Sequence, residues 1–152
     1  MAIVVTGFEP FGEHKTNASW SAVQLLPALW GDTQPPVEVR EIPVAYGWVQ
    51  EQGEAVWREP VFTVHVGVSG RDSVVTLEAG AHNTGYCRPD NRAACPAEGE
   101  CVTGGRDTET TCLDMGLLLE GCREEGGTEG VEFQVSEDAG RYLCDFVYYR
   151  YF

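Results

Sequence analysis

The 152-residue sequence has no apolar run approaching the roughly 18 residues that a membrane-spanning helix needs. Its short N-terminal apolar run, "MAIVVTGF", has no basic stretch before it and no small-residue cleavage site after it. It therefore reads as a first strand rather than a signal peptide. Positive charge is scarce, with 10 Lys and Arg against 24 Asp and Glu and a net charge of −14. So acidic a surface repels phosphate backbones and anionic headgroups, so nucleic acid and membrane surfaces are not expected partners. The acidity rises along the chain, from 9 acids and 4 bases in residues 1–75 to 15 acids and 6 bases in residues 76–152, and reads as a solubility feature. No internal repeat and no linker composition divides it, so residues 1–152 read as one domain.

The six cysteines include no close pair. Those at 87, 95, 101, 112 and 122 are separated by 8, 6, 11 and 10 residues, and zinc sites are built on C-x₂₋₄-C. No metal and no cofactor is expected, and the loop thiols read as oxidation-prone. With no signal peptide, the chain is expected in the cytosol, where thiols stay reduced. Histidine is also sparse, at positions 14, 65 and 82.

What is present is an alternation of strands and helices. "AIVVT" (residues 2–6) is a continuous apolar run, as a strand buried on both faces requires. Asn17 caps a helix expected to run from Ala18 until Pro27 stops it. "VEVREI" alternates as a half-wet strand. Val49, Gly53, Val56 and Trp57 recur at helical spacing between Tyr46 and Arg58. "VFTVHVGV" (61–68) is a strand ended by Ser69 and Gly70, and residues 74–77 form another. Residues 79–106 show no period and read as a long loop. A helix is expected over 108–123, "EEGGTEG" is a turn, and "VEFQVS" (131–136) is the last strand. Strands joined by crossover helices imply an α/β fold with a mostly parallel sheet. Sites in such folds form beyond the C-terminal ends of the strands. Three segments meet there: "GFEPFG", Glu78 and Cys144.

"TGFEPFGEH" spaces Gly7 and Gly12 as a phosphate loop does, but Glu13 and His14 stand where Lys and Ser or Thr are needed. Phe8 and Phe11 are then either core rings on a tight turn or the walls of an apolar slot for a small flat ligand. Cys144, in "EDAGRYLCDF", falls in the first turn of a helix. If Asp138 or a neighbour caps that helix, its dipole lowers the thiol pKa. Otherwise Cys144 is one more buried sulfur. Glu78 is either a solvated loop acid or the third member of a nucleophile–base–acid set. His65 reads as a satisfied core residue, and neither His14 nor His82 is marked by spacing as a base for Cys144.

Five blocks, in order, resemble the type I pyroglutamyl-peptidase family: "VVTGFEPFGEHKTNASWSAVQ", "EIPVAYGWVQ", "VHVGVSG", "VVTLEAGAHNTGYCRPDN" and "SEDAGRYLCDF". The likeness runs from Ile3 to about Tyr149 and is weakest over 93–130. It implies one α/β domain with a mixed sheet and helices on both sides. It implies a cysteine peptidase that removes an N-terminal pyroglutamyl residue from peptides, without cofactor. On the matching positions, Cys144 is the nucleophile, Glu78 the catalytic glutamate, Phe8 and Phe11 the grip on the lactam, and Arg88 a group near the oxyanion. Nothing in it fixes the oligomeric state.

The family's catalytic histidine belongs to a strand following the cysteine helix, and this sequence ends at Phe152, eight residues beyond Cys144. A truncated domain is therefore expected, lacking its last strand and helices, with apolar sheet surface exposed and the aromatic tail "FVYYRYF" uncovered. Glu78 is a poor substitute base, because reference values of about 4.3 and 8.5 leave about four units uphill. Losing the histidine of a comparable triad costs on the order of 10⁶ in turnover. Two hypotheses follow: a peptidase by descent, or a non-catalytic pyroglutamyl-peptidase-like protein that binds or regulates.

Overall fold

The computed structural model describes residues 2–57, 62–69, 74–124 and 130–152. The expected helix end at Arg58, the strand start at Val61, Gly70 and most of the turn over 124–130 lie outside these residues, as does the side chain of Val56. Strand β1 (Ile3–Phe8) lies between β2 (Val37–Ile42) and β3 (Phe62–His65), parallel to both. Val4, Val5, Thr6, Gly7 and Phe8 are all buried, as a strand covered on both faces requires. β4 (Val75–Glu78) runs parallel to β7 (Phe133–Ser136), while β5 (Gly80–His82) is antiparallel to β6 (Thr108–Thr110). Helices α1 (Ala18–Val23), α2 (Leu26–Trp30), α3 (Tyr46–Trp57), α4 (Met115–Glu124) and α5 (Leu143–Tyr151) complete a mixed, mostly parallel α/β fold. No helix among the described residues is long and apolar enough to cross a membrane.

Four local expectations are corrected. Pro27 does not stop a helix. α1 has already ended at Val23, and Pro27 sits in the first turn of α2, where its fixed φ suits a helix start and no intrahelical N–H is needed. Residues 79–106 are not a plain loop. They contain β5, a bridge between Thr84 and Glu100, and a 3₁₀ turn. Buried Asn83 organises them, its side-chain amide donating to Val102 O at 2.8 Å and accepting from Val102 N at 2.8 Å. The helix expected from 108 starts only at Met115. Thr108–Thr110 pairs as β6, and Asp114 then accepts from the N–H groups of Gly116 and Leu117 as a helix cap does. Finally, the aromatic tail is not bare. Phe146 and Val147 of α5 are fully buried, and the Phe146 ring meets the edges of Tyr46 and Tyr86 at 4.9 and 5.1 Å. Each such side chain contributes about 1.5–3 kcal/mol, so α5 is a central element. Val64, Val75 and Val135 do expose apolar sheet surface, at 37, 45 and 38%.

Gly7 marks a close approach of two backbones. A Cβ there would lie 2.8 Å from Trp20 Cα, so only glycine lets β1 touch α1.

His65 is half-buried and only half satisfied. Its Nδ1 meets Thr6 Oγ1 at 2.7 Å, while its Nε2 is buried without a partner, between the rings of Trp57 and Tyr151. Burial pushes its pKa down to about 3. The unfolded chain takes up this proton near pH 6.5 and the folded one only near 3, so stability is full above 6.5 and falls as pH drops through that window, by about 1.4 kcal/mol per unit for this group. Urea midpoints at pH 7.5 and 5 should differ more for the parent than for His65→Gln. An equal difference would remove His65 as the cause.

Candidate active site

The first wall of the site is the turn after β1. Ser19 Oγ accepts the Phe8 N–H at 3.0 Å, and Asn17 caps α1 by accepting from Ser19 N while its amide donates to Glu9 O. Glu9 in turn accepts from Val44 N and Asn91 Nδ2 at 3.0 and 3.1 Å. Phe8 is buried at 3% exposure, whereas Phe11 is half-buried, packed near His14 and Tyr142.

The second wall is the N-terminal end of α5. Cys144 is its second residue. Asp138, one of the residues on whose capping a lowered thiol pKa is conditional, does not cap this helix. It accepts from Gly140 N and pairs with Arg141 at 2.6 Å, and the cap residue, Tyr142, makes no side-chain capping bond. The Cys144 thiol faces Gly67, just beyond β3. A Cβ on Gly67 would fall 2.5 Å from Cys144 Sγ and 3.8 Å from Phe8 Cε2. Glycine there leaves room for the sulfur and brings it beside the Phe8 ring.

Glu78, the last residue of β4, is the third group. It is not a solvated loop acid, because its Oε2 is buried and has no hydrogen-bond partner. A buried polar atom without a partner is uncommon in a folded chain and calls for an explanation. Its charge reaches Cys144. Burial chiefly, then the carboxylates of Glu78 and Asp145, push the thiol up to about 11. The lowered pKa expected from the helix dipole is therefore overturned, because desolvation and two anions outweigh a half-charge at a helix end. Alkylation of Cys144 by iodoacetamide, followed by peptide mass, should rise about tenfold per pH unit from 7 towards 11. A plateau below pH 8 would contradict the protonated thiol.

Arg88 is exposed and lies over the Tyr142 ring at 4.3 Å and the Phe11 ring at 5.9 Å, at the rim. The three histidines have other neighbours: His14 the Phe11 ring, His65 Thr6, and His82 the Asp145 carboxylate at 3.4 Å. None hydrogen-bonds Cys144. The sequence reading missed two acids. Asp90, buried at 7%, accepts from Tyr46 N at 2.8 Å and from Arg92 N and Ala94 N. Asp145, fully buried beside the thiol, accepts from Tyr86 Oη at 2.7 Å and from His82 N at 3.3 Å. No spacing rule singles out either, since their partners lie 44 and up to 63 residues away. Among the described residues no three His, Cys, Asp or Glu side chains are grouped to hold a metal ion.

Known proteins resemble this arrangement. A family model described as pyroglutamyl peptidase matches residues 1–152. Pyroglutamyl-peptidase 1 of rat, mouse and human is 46% identical over 150 residues, which cover 97% of this chain and 71% of those proteins. The pyrrolidone-carboxylate peptidase of Clavibacter michiganensis is 32% identical, over 97% of this chain and 68% of its own. The solved pyrrolidone carboxyl peptidase of Thermus thermophilus superposes with a TM-score of 0.84 at 32% identity, over 97% of this chain and 74% of that one.

Proposed function

The chain belongs to the pyroglutamyl peptidase family, and from that premise we propose that Cys144 is the nucleophile of a cysteine peptidase that removes N-terminal pyroglutamyl residues from peptides. The observation that carries this reading is the meeting of the Cys144 thiol, the Phe8 ring and the Glu78 carboxylate, whose buried Oε2 has no partner, beyond the strand ends. A pyroglutamyl cap has no free amine, so a flat apolar slot with an acceptor for the lactam N–H suits it. Phe8 and Phe11 supply the rings, and Arg88 at the rim supplies a positive charge towards the carbonyl oxygen. In the reaction the thiolate adds to the carbonyl, backbone N–H groups hold the oxyanion, the amine leaves with a proton, and water releases the acyl group. The thiol must first lose its proton to a base. Six unpaired thiols also suit a cytosolic location.

A second reading, binding without hydrolysis, is supported by the thiol held protonated with no histidine against it. Amine release from pyroglutamyl- and prolyl-coumarin amides tests both. The prolyl ring has the same size but carries a charged amine and no lactam carbonyl. Release from the pyroglutamyl amide should be faster by on the order of 10⁴. Calorimetric binding of a pyroglutamyl peptide without any release would favour the second reading. Equal handling of the two amides, or neither binding nor release, would overturn both.

A further inference from the structure

The loop after β5 carries two thiols that the peptidase chemistry leaves unused. Cys87 and Cys95 are both exposed and unpaired. They flank a tight turn that Asp90 builds. Asp90 N donates to Ala94 O at 2.9 Å, Ala93 N donates back to Asp90 O at 3.0 Å, and the Asp90 carboxylate accepts from Arg92 N and Ala94 N. Ala93 takes a φ of 58° to close it. The turn folds the chain back, so that the Cys95 thiol donates to the Cys87 carbonyl oxygen at 3.4 Å. That contact is one of three in a row. The carbonyls of Cys87, Arg88 and Pro89 accept from Cys95 Sγ, Tyr46 Oη and Tyr142 Oη respectively. The backbone that carries Arg88 is thus pinned at each residue, and one of the pins is a thiol.

We propose that Cys87 and Cys95 are a thiol–disulfide pair, a site of reversible oxidation on the rim of the active site. The Cys95 sulfur already rests against the backbone of Cys87, so rotation of the exposed Cys87 side chain to another staggered position is the movement that bridging asks for. The oxidant is hydrogen peroxide. One thiolate attacks its oxygen, giving a sulfenic acid and water. The second thiol attacks that sulfur and releases a second water. Two thiols and one hydrogen peroxide become one disulfide and two waters, and a small dithiol reverses the change by exchange. The other thiol in this part of the chain is set apart. Cys101 is 4% exposed, and its sulfur is turned inward to the Phe146 carbonyl. Bridging holds the loop in the shape it has and keeps Arg88 over Tyr142. It does not depend on whether Cys144 is catalytic.

The test treats the native full chain with hydrogen peroxide, alkylates remaining thiols with iodoacetamide, and digests with trypsin without reduction. Cleavage after Arg92 separates Cys87 from Cys95, while the Arg88–Pro89 bond resists trypsin. The expected product is the two peptides joined, lighter than their sum by two hydrogens, with fragmentation assigning the link to Cys95 rather than Cys101. Dithiothreitol should separate them, and Cys95→Ser should abolish the joined species. The proposal is overturned if Cys87 and Cys95 are each recovered alkylated or as sulfinic acid, or if the link maps to Cys101 or survives in Cys95→Ser.

Discussion

Replacing Cys144 with alanine is expected to bring amine release from a pyroglutamyl-coumarin amide down to the uncatalysed rate. Removal of the nucleophile from a comparable triad costs on the order of 10⁶ in turnover. The geometry gives the reason. No other thiol shares this position: the remaining five lie at 87, 95, 101, 112 and 122, and Cys144 alone has its sulfur at Gly67 beside Phe8. The comparison is best run in two backgrounds: this chain, and a version extended with the C-terminal segment of the 46%-identical relatives, of whose length the chain spans 71%. If the chain turns over and its alanine variant does not, a group within residues 1–152 takes the thiol proton. If only the extended version turns over and its alanine variant does not, the base lies on the added segment. Turnover undiminished by the alanine in either background would sink Cys144 as the nucleophile.

The largest loss of stability is expected from Asp145→Ala, about 3–5 kcal/mol, the range for breaking a buried charged network by removing one partner. Asp145 has no exposed surface, and it ties α5 to β5 through the His82 N–H and the His82 ring, and to the segment after β5 through Tyr86 Oη. Alanine leaves the His82 N–H without its acceptor and a space beneath the Cys144 turn. Asp145→Asn separates structure from electrostatics. It keeps the shape and one acceptor oxygen, so most of the stability should return. It also removes one of the two anions that hold the thiol proton, so Cys144 should alkylate faster at pH 8 than in the parent. Urea unfolding and peptide-resolved alkylation report the two effects. An alanine variant within 1 kcal/mol of the parent, by order of magnitude only an ordinary surface change, would show that the network does not anchor α5. Slower alkylation in Asp145→Asn would contradict the electrostatic account.

Local patterns carried much of the fold. The apolar run of β1 announced a strand covered on both faces, Asn17 announced the start of α1, and the helical spacing after Tyr46 announced α3. Where the sequence misled, a distant partner had decided the outcome. Thr108–Thr110 has residues that suit either structure, and it became a strand because Gly80–His82 lay alongside. Residues 79–106 have no period, because Asn83 holds them through side-chain bonds to one distant residue rather than through a repeating ladder. The tail after Cys144 looked uncovered because its neighbours, Tyr46 and Tyr86, are 100 and 60 residues before Phe146.

The candidate site divides in the same way. Its residue types and family were set down in the order of the chain: the two phenylalanines of the first turn, the glutamate following a strand, the cysteine beginning a helix. Composition likewise determined the acidic surface. Only the tertiary structure decided the state of those groups. Burial of the thiol and the approach of Glu78 and Asp145 raised a pKa that helix position alone would have lowered. The Glu78 oxygen was left without a partner, and His65 was left half satisfied. Proton affinity depends on solvent excluded and on charges nearby in space, and neither quantity is written in the spacing of residues along a chain.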